Sequence, residues 1–240
     1  LFDPVTEKFT PVENKFDDWS KAIFCMAENN DFLWGGSWGG GIKKVDKKSG
    51  TYTSINFDEK DQFRNSIFDL ELQDSILWVA NIEMGLIRYN INNGHQKIYS
   101  HSQKIPGFPK ERIIDIFIEN PNSFWISTDG AGLFHFNPLT ETIENISSKY
   151  PISGNIIQSV VTDSNNNLWI ASISGISYIN QKTGNCYNFD KNNGLLNNQL
   201  NKSAIFFDKI DNLIYTGGVE GVNYFNPSEI SVDSSSNKVI

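Results

Sequence analysis

Short stretches of alternating apolar and polar residues recur along the whole chain. Three examples are the segments IFDLEL at 67–72, IDIFI at 114–118 and VVTD at 160–163. Alternation with a period of two, rich in β-branched and aromatic residues and bounded by turn formers, predicts strands with one buried face. We find no helical period longer than one turn. The pattern predicts an all-β fold.

One aromatic residue followed by small residues repeats at a regular interval. The copies are anchored, in chain order, at Trp34, Trp78, Trp125, Trp169 and, in a degenerate form, Tyr215, with spacings of 44, 47, 44 and 46 residues. A period of this length, with four strand signals in each unit, is typical of a β-propeller blade.

The repeat predicts how the chain is organised. Residues 1–230 are predicted to form five full four-stranded blades plus a partial N-terminal blade, because the segment LFDPVTEKF at 1–9 aligns with the last strands of a preceding unit. This pattern fits either a fragment of a larger propeller or a five-bladed ring closed by the N-terminal strand. Residues 231–240 are predicted to be a linker or tail.

Composition and charge exclude some functions. The 240 residues have a net charge of −8 and include three arginines, which disfavours nucleic-acid binding. The two cysteines, Cys25 and Cys186, cannot form a disulfide framework or a four-ligand zinc site by themselves. The sequence predicts no metal site and no cofactor.

Candidate ligand contacts lie on one face of the predicted propeller. The loops between second and third strands emerge there, together with the joints between blades. Trp19 and Trp38 are the two tryptophans outside the repeat position, and an aromatic ring beside polar groups suits a sugar. Arg64 and Arg112, at equivalent joints, are candidates for a uronate or a sulfate. The predicted ligand-binding residues are Trp19, Trp38, Arg64, Asn81, Glu83, Arg112 and Asp129.

Two carboxylates occur at matching places in first strands, beside the predicted channel. Asp69 and Asp115 could bind a cation, although hydrogen bonds to backbone within their own blades are the expected role. The three histidines lie in no triad or metal-ligand spacing. We therefore predict no catalytic residue.

The segment FWISTDGAGLFHFNP at 124–138 resembles the two-component regulator propeller repeat. The last unit, with GLLNNQLN at 194–201 and GGVEGVNYFNP at 217–227, resembles the final blade of hybrid two-component sensors. The resemblance implies the periplasmic sensor region of a Bacteroidetes-type hybrid histidine kinase. It further implies an oligosaccharide ligand, control of glycan-utilisation genes and a homodimer in the full-length protein. The missing partners would be other blades of a seven-bladed propeller and a C-terminal β-sandwich beyond residues 231–240.

Three functions from different classes remain open at this point. The first is a non-catalytic sensor that binds a ligand on the propeller face. The second is a scaffold for protein–protein interaction or dimerisation without a small-molecule ligand. The third is a propeller lyase or glycosidase, which would need paired carboxylates about 5–10 Å apart in an accessible cleft.

Overall fold

The computed structural model describes residues 2–3, 5–9, 22–103 and 105–230. Strands β1 (Phe2–Asp3) and β2 (Lys8–Phe9) pair antiparallel near the N-terminus. Trp19 and the predicted linker at 231–240 lie outside the described residues. No helix of the described ranges is long and apolar enough to cross a membrane.

Four antiparallel sheets of four strands follow along the chain. Blade 1 contains β3 (Ile23–Glu28), β4 (Phe32–Ser37), β5 (Ile42–Asp46) and β6 (Tyr52–Ile55). Blade 2 contains β7 (Ile67–Gln73), β8 (Ile76–Asn81), β9 (Gly85–Asn90) and β10 (Gln96–Tyr99). Blade 3 contains β11 (Ile113–Asn120), β12 (Ser123–Thr128), β13 (Leu133–Asn137) and β14 (Thr142–Asn145). Blade 4 contains β15 (Ile157–Thr162), β16 (Leu168–Ser172), β17 (Gly175–Ile179) and β18 (Cys186–Phe189).

Blade 5 has three strands among the described residues, and the place of a fourth strand in the repeat falls beyond residue 230. The strands are β19 (Leu200–Asp208), β20 (Leu213–Gly218) and β21 (Gly221–Phe225). Three single-turn 3-10 segments, at Phe63–Asn65, His101–Gln103 and Lys191–Asn193, lie in the joints between blades. The first strands of consecutive blades contact each other in chain order. The predicted all-β propeller is confirmed.

Each blade packs through the anchor aromatic of its second strand onto the next blade. Trp78 in blade 2 contacts Phe124 and Phe136 of blade 3, with ring centroids 4.8 and 6.2 Å apart. All four anchor tryptophans are buried between two blades in this way. We call the side of a blade that carries the anchor aromatic its forward face.

Tyr215 departs from this pattern. It lies at the anchor position of blade 5 and stacks on Tyr224 of the same sheet, with centroids 6.0 Å apart. Tyr215 is half-buried and Tyr224 is 66% exposed, because no described blade lies against the forward face of blade 5. The expected interblade packing therefore holds for the four tryptophans and not for Tyr215.

Candidate functional site

The first strands carry a bulge at equivalent positions, and the side chains there point between blades. The register of the first strand shifts just before Cys25, Asp69, Asp115 and Ser159 in blades 1 to 4. An extra residue at a bulge redirects a side chain out of the regular alternation. The repeat therefore brings polar groups to the centre of the propeller.

The central carboxylates bond neighbouring blades. Asp69 Oδ2 accepts a hydrogen bond from the Ile116 N–H of blade 3 (2.8 Å). Asp115 accepts from the hydroxyls of Ser159 in blade 4 and Ser203 in blade 5, both at 3.0 Å. The expectation that both aspartates bond backbone within their own blades is incomplete, since these hydrogen bonds join different blades.

Burial perturbs the acidic groups at the centre. Desolvation raises the pKa of Asp69 to about 6 and that of Glu71 to about 7, and it raises the pKa of Asp115 as well. Asp69 as a whole residue is half-buried, but its carboxyl group is enclosed, and the surroundings of that group set its pKa. Both aspartates are held by hydrogen bonds, so they form an interblade link rather than an open cleft.

Trp38 is the centre of an exposed aromatic cluster on the channel face. Its ring centroid lies 5.4 Å from Phe63, 6.0 Å from Phe24 and 6.1 Å from Phe68. We call these four residues the Trp38 patch. Trp38 is 38% exposed and Phe24 is 52% exposed. The indole N–H has no hydrogen-bond partner within the described part of the chain, so the patch offers both an apolar surface and a donor.

Lys202 of blade 5 reaches the Trp38 patch across the channel. Its ammonium nitrogen donates to the carbonyl oxygen of Phe68 (2.5 Å) and lies 4.3 Å from the centre of the Phe68 ring. This is a cation–π geometry. Lys202 also lies close enough to Asp69 to favour the ionised form of that carboxyl group. It therefore connects the Trp38 patch to the central carboxylates.

A second feature of this face is a pocket between blades 2 and 3. Its volume is about 320 Å³, and it brings together the predicted residues Asn81, Glu83 and Arg112. Buried Ile82, Phe108 and Ile113 provide apolar surface in its lining. Exposed polar and charged groups surround that surface: Glu83, His101, Lys110, Glu111 and Arg112. Trp38, Arg64 and Asp129 are not part of its lining.

Asn81 closes the turn beside this pocket. Its Oδ1 accepts hydrogen bonds from the N–H groups of Glu83 (3.0 Å) and Met84 (2.8 Å), and its Nδ2 donates to the carbonyl of Arg64 (2.7 Å). Hydroxyl groups of the equivalent residues close the same turn in other blades, namely Ser37, Thr128 and Ser172. The side chain of Asn81 is therefore engaged in the fold, and it shapes the pocket.

The pocket also depends on Gly85, which follows this turn. Gly85 has a φ of +89°, and an added Cβ would lie 2.5 Å from the carbonyl oxygen of Tyr99. A side chain there would be strained and would clash with backbone. Glycine at this position keeps the wall of the pocket close to the sheet.

The two predicted arginines have different surroundings. Arg64 Nη1 pairs with Asp58 Oδ2 at 3.0 Å. Arg112 has no hydrogen bond or ion pair from its side chain within the described ranges, and its carbonyl oxygen accepts the N–H of Asp129 (2.9 Å). In the repeat, Arg64 aligns with Lys110 rather than with Arg112, two residues away.

In the joint between blades 1 and 2, aromatic side chains occupy the positions that line the pocket between blades 2 and 3. Trp38 occupies the repeat position of Ile82, since the N–H of each bonds a carbonyl just before the first strand of its blade. Phe63 aligns with Pro109, which also lines the pocket. Aromatic rings therefore stand in this joint at the positions whose counterparts, Ile82 and Pro109, line the cavity between blades 2 and 3.

Several members of both features are not among the ligand-binding residues predicted from the sequence. Phe24 and Phe68 occupy equivalent positions in first strands, 44 residues apart, and this match is a signal that could have found them. Phe63, His101, Lys110 and Lys202 carry no such signal, because only the folded arrangement brings them to these sites. Among the described residues, no group of three or more His, Cys, Asp or Glu side chains is arranged to hold a metal ion.

Comparison with known proteins agrees with this fold. The family model "Two component regulator propeller" matches residues 151–174, which include the first two strands of blade 4, β15 and β16. Histidine kinase P4 of Formosa agariphila is 25% identical over 232 residues, which are 92% of this chain and 16% of that protein.

Two solved structures from B. thetaiotaomicron share the architecture. The extracellular domain of one hybrid two component system superposes with a TM-score of 0.70 at 22% identity, over 91% of this chain and 28% of that chain. That of a second such system has a TM-score of 0.62 at 16% identity, over 88% of this chain and 35% of that chain. This chain thus spans only a fraction of the length of these relatives. It is a β-propeller, and its residues 151–174 match the two-component regulator propeller repeat.

Proposed function

We propose that this propeller is a non-catalytic, extracytoplasmic ligand sensor of a hybrid two-component histidine kinase. The observation that carries the proposal is the similarity of 92% of the chain to a histidine kinase, together with the regulator repeat. The matching structures are extracellular domains, which supports a periplasmic location. The kinase itself would lie elsewhere in the full-length protein.

The ligand in this proposal is an oligosaccharide whose recognition controls glycan-utilisation genes. The Trp38 patch supports a sugar, because aromatic faces stack on the C–H face of a pyranose while nearby polar groups bond its hydroxyls. The pocket between blades 2 and 3 adds a concave site on the same face. Binding would act by differential affinity for two arrangements of the receptor, since only that difference can shift an equilibrium.

The central carboxylates favour sensing over catalysis. A glycosidase needs one carboxyl group to donate a proton and another to act as base or nucleophile at the substrate. Asp115 is buried and accepts hydrogen bonds from two serine hydroxyls, and Asp69 accepts one from a backbone N–H. These contacts assign both side chains to the joining of blades.

A scaffold role is the second candidate, and the exposed blade faces favour it. Phe206, Val222 and Tyr224 on the forward face of blade 5 are each at least 60% exposed. On the opposite side, Met26 of blade 1 is 66% exposed. Contiguous apolar surface of this kind marks an interaction site. In the scaffold role a partner protein would cover these faces. In the sensor function that we propose, further blades of a larger propeller cover them, and a C-terminal β-sandwich and a homodimer complete the receptor.

Calorimetric titration of the complete ectodomain with defined oligosaccharides tests the sensor function. We expect saturable binding without product formation, weakened by Trp38→Ala and unchanged by Leu139→Ala, an exposed apolar residue on a distant turn. Product formation would overturn the non-catalytic function. Absence of binding across a broad panel would favour the scaffold.

A further inference from the structure

The pocket between blades 2 and 3 contains charged groups that the fold does not use. Glu83, Lys110, Glu111 and Arg112 line it, and none of their side chains has a hydrogen bond or ion pair to another residue in the described ranges. Oppositely charged groups that share a small cavity usually pair with each other. Here four remain available to a ligand.

The equivalent joint between blades 1 and 2 provides a comparison within the same molecule. Arg64 occupies the repeat position of Lys110, and its guanidinium is paired with Asp58 at 3.0 Å. Trp38 and Phe63 fill the space that is open beside Ile82 and Pro109. The arginine of the first joint thus has an acidic partner, whereas Lys110 and Arg112, which line the pocket of the second joint, have none in the described ranges.

The apolar part of the lining limits the class of ligand. Ile82, Phe108 and Ile113 lie under the charged rim, so a small inorganic ion would leave apolar surface uncovered. A cavity of about 320 Å³ is at the lower end of the range for ligand sites and fits one or two sugar rings. The rim carries donors on Lys110 and Arg112 and acceptors on Glu83 and Glu111.

We propose that this pocket binds an anionic saccharide, with its carboxylate or sulfate on Arg112 and Lys110. The hydroxyls of the sugar donate to Glu83 and Glu111, and its apolar ring face lies on Ile82 and Phe108. A planar guanidinium matches the two oxygens of a carboxylate or sulfate, and hydrogen bonds between charged groups are about twice as strong as neutral ones. The inference rests on the proposed sensor function and names the class of its ligand.

The net charge of −8 does not prevent such binding. At physiological ionic strength, charges farther away than about 8 Å are largely screened, so the nearest groups dominate. A neutral sugar would leave Arg112 and Lys110 without a counter-charge. Glu83 and Glu111 carry the opposite charge in the same lining, so in this proposal the anionic group of the ligand lies against Arg112 and Lys110 and the sugar hydroxyls lie against the two glutamates.

Titration of the complete ectodomain with three matched disaccharides tests the proposal. The probes are a uronate-containing disaccharide, a sulfated disaccharide and the neutral disaccharide with the same rings. We expect at least one anionic probe to bind about tenfold or more tightly than the neutral probe, with affinity that falls as salt rises. The two anionic probes distinguish a carboxylate from a sulfate.

Two matched variants locate the site. Arg112→Gln is expected to weaken the binding of the anionic probe about tenfold and to leave the affinity for the neutral probe unchanged. Arg64→Gln is expected to change neither affinity, because Arg64 lies in the joint between blades 1 and 2 and is already paired with Asp58. Thermal unfolding of both variants confirms that the fold is intact.

Each other outcome contradicts the proposal in a distinct way. Equal binding of neutral and anionic probes, unaffected by Arg112→Gln, overturns the anionic ligand and leaves the sensor function standing. Equal loss in Arg64→Gln and Arg112→Gln overturns the location in this pocket. Binding of no saccharide at all overturns both the anionic ligand and the proposed oligosaccharide sensor.

Discussion

The forward faces of blades 4 and 5 have the same construction and opposite surroundings. In blade 4, Trp169 pairs across the sheet with Val161 and Tyr178, and blade 5 buries it completely. In blade 5, Tyr215 pairs in the same register with Phe206 and Tyr224, which are 62% and 66% exposed. The repeat therefore places aromatic and apolar residues on the forward face of each blade. Whether that face contributes to stability depends on whether a neighbouring blade buries it.

The largest expected effect is the contrast between the two anchor residues. Trp169→Ala removes a fully buried indole whose N–H donates to Asp163 Oδ2 at 3.0 Å, and we expect a loss of about 3–5 kcal/mol in unfolding free energy. Tyr215→Ala in this chain should cost less than about 1 kcal/mol, because its face is open. Urea unfolding followed by tryptophan fluorescence and circular dichroism measures both. Equal losses would show that something covers the face of blade 5.

The central carboxylates give the next largest effect, and it depends on pH. Asp69, with a pKa of about 6, and Glu71, with a pKa of about 7, hold protons in the folded state that the unfolded chain releases near pH 4. The stability they contribute is present at low pH and is lost as the pH rises through 6 to 7. We expect unfolding free energy to be about 2 kcal/mol higher at pH 5 than at pH 8.

Substitutions assign this pH dependence to particular groups. Asp69→Asn and Asp115→Asn should flatten the dependence, because the amide has no proton to release over this range. At position 69 the amide oxygen can still accept the Ile116 N–H, whereas at position 115 it replaces only one of the two carboxylate oxygens that accept the Ser159 and Ser203 hydroxyls. Asp129→Asn, on an exposed turn, is the control and should leave the slope unchanged. Burial raises the pKa of Asp69, while the hydrogen bond from Ile116 and the charge of Lys202 lower it, so an unchanged slope in both core variants would contradict the assignment.

A smaller effect concerns association rather than stability. The double substitution Phe206→Ser and Tyr224→Ser removes two rings from the open face of blade 5 and should change unfolding free energy little. We expect the unsubstituted chain to associate as its concentration rises and the double variant to associate less, because exposed apolar surface favours self-contact. Sedimentation velocity across a concentration series measures the difference. Identical profiles would mean that this face does not drive association.

The smallest effects are expected at the two arginines of the channel face. Arg112→Gln should leave the melting temperature unchanged, since its side chain has no partner in the described chain. Arg64→Gln breaks an exposed ion pair with Asp58 and should lower the melting temperature only slightly, because exposed ion pairs contribute little to stability. Differential scanning calorimetry at low and high salt checks both. A large loss in Arg112→Gln would indicate a structural role for that residue.

Much of the fold could be predicted from sequence because its signals are local. The recurrence of Trp34, Trp78, Trp125 and Trp169 predicts blades, and the structure places each residue in the second strand of one. The prediction that Asn81, Glu83 and Arg112 lie on one face agrees with their meeting in one pocket. Trp19 lies outside the described residues, so its role stays a prediction.

The candidate site could be predicted only in part. Sequence alone did not distinguish Arg64, which has Asp58 as a partner, from Arg112, which has none. It gave no reason to group Lys202 with Phe68, residues 134 positions apart in the chain. Both facts depend on where loops and strands of different blades meet.

By itself the sequence determined the strand pattern, the blade repeat and the acidic, arginine-poor surface, because these follow from local periodicity and composition. Tertiary structure alone decided which anchors are covered, that Asp69 and Asp115 link blades, and that one joint is filled by rings while the next holds a charged cavity. The physical reason is that burial, pairing and pKa depend on neighbours from other blades. The repeat determines which type of residue stands at each position of a blade, while contacts between blades determine its burial, its hydrogen bonds and its pKa.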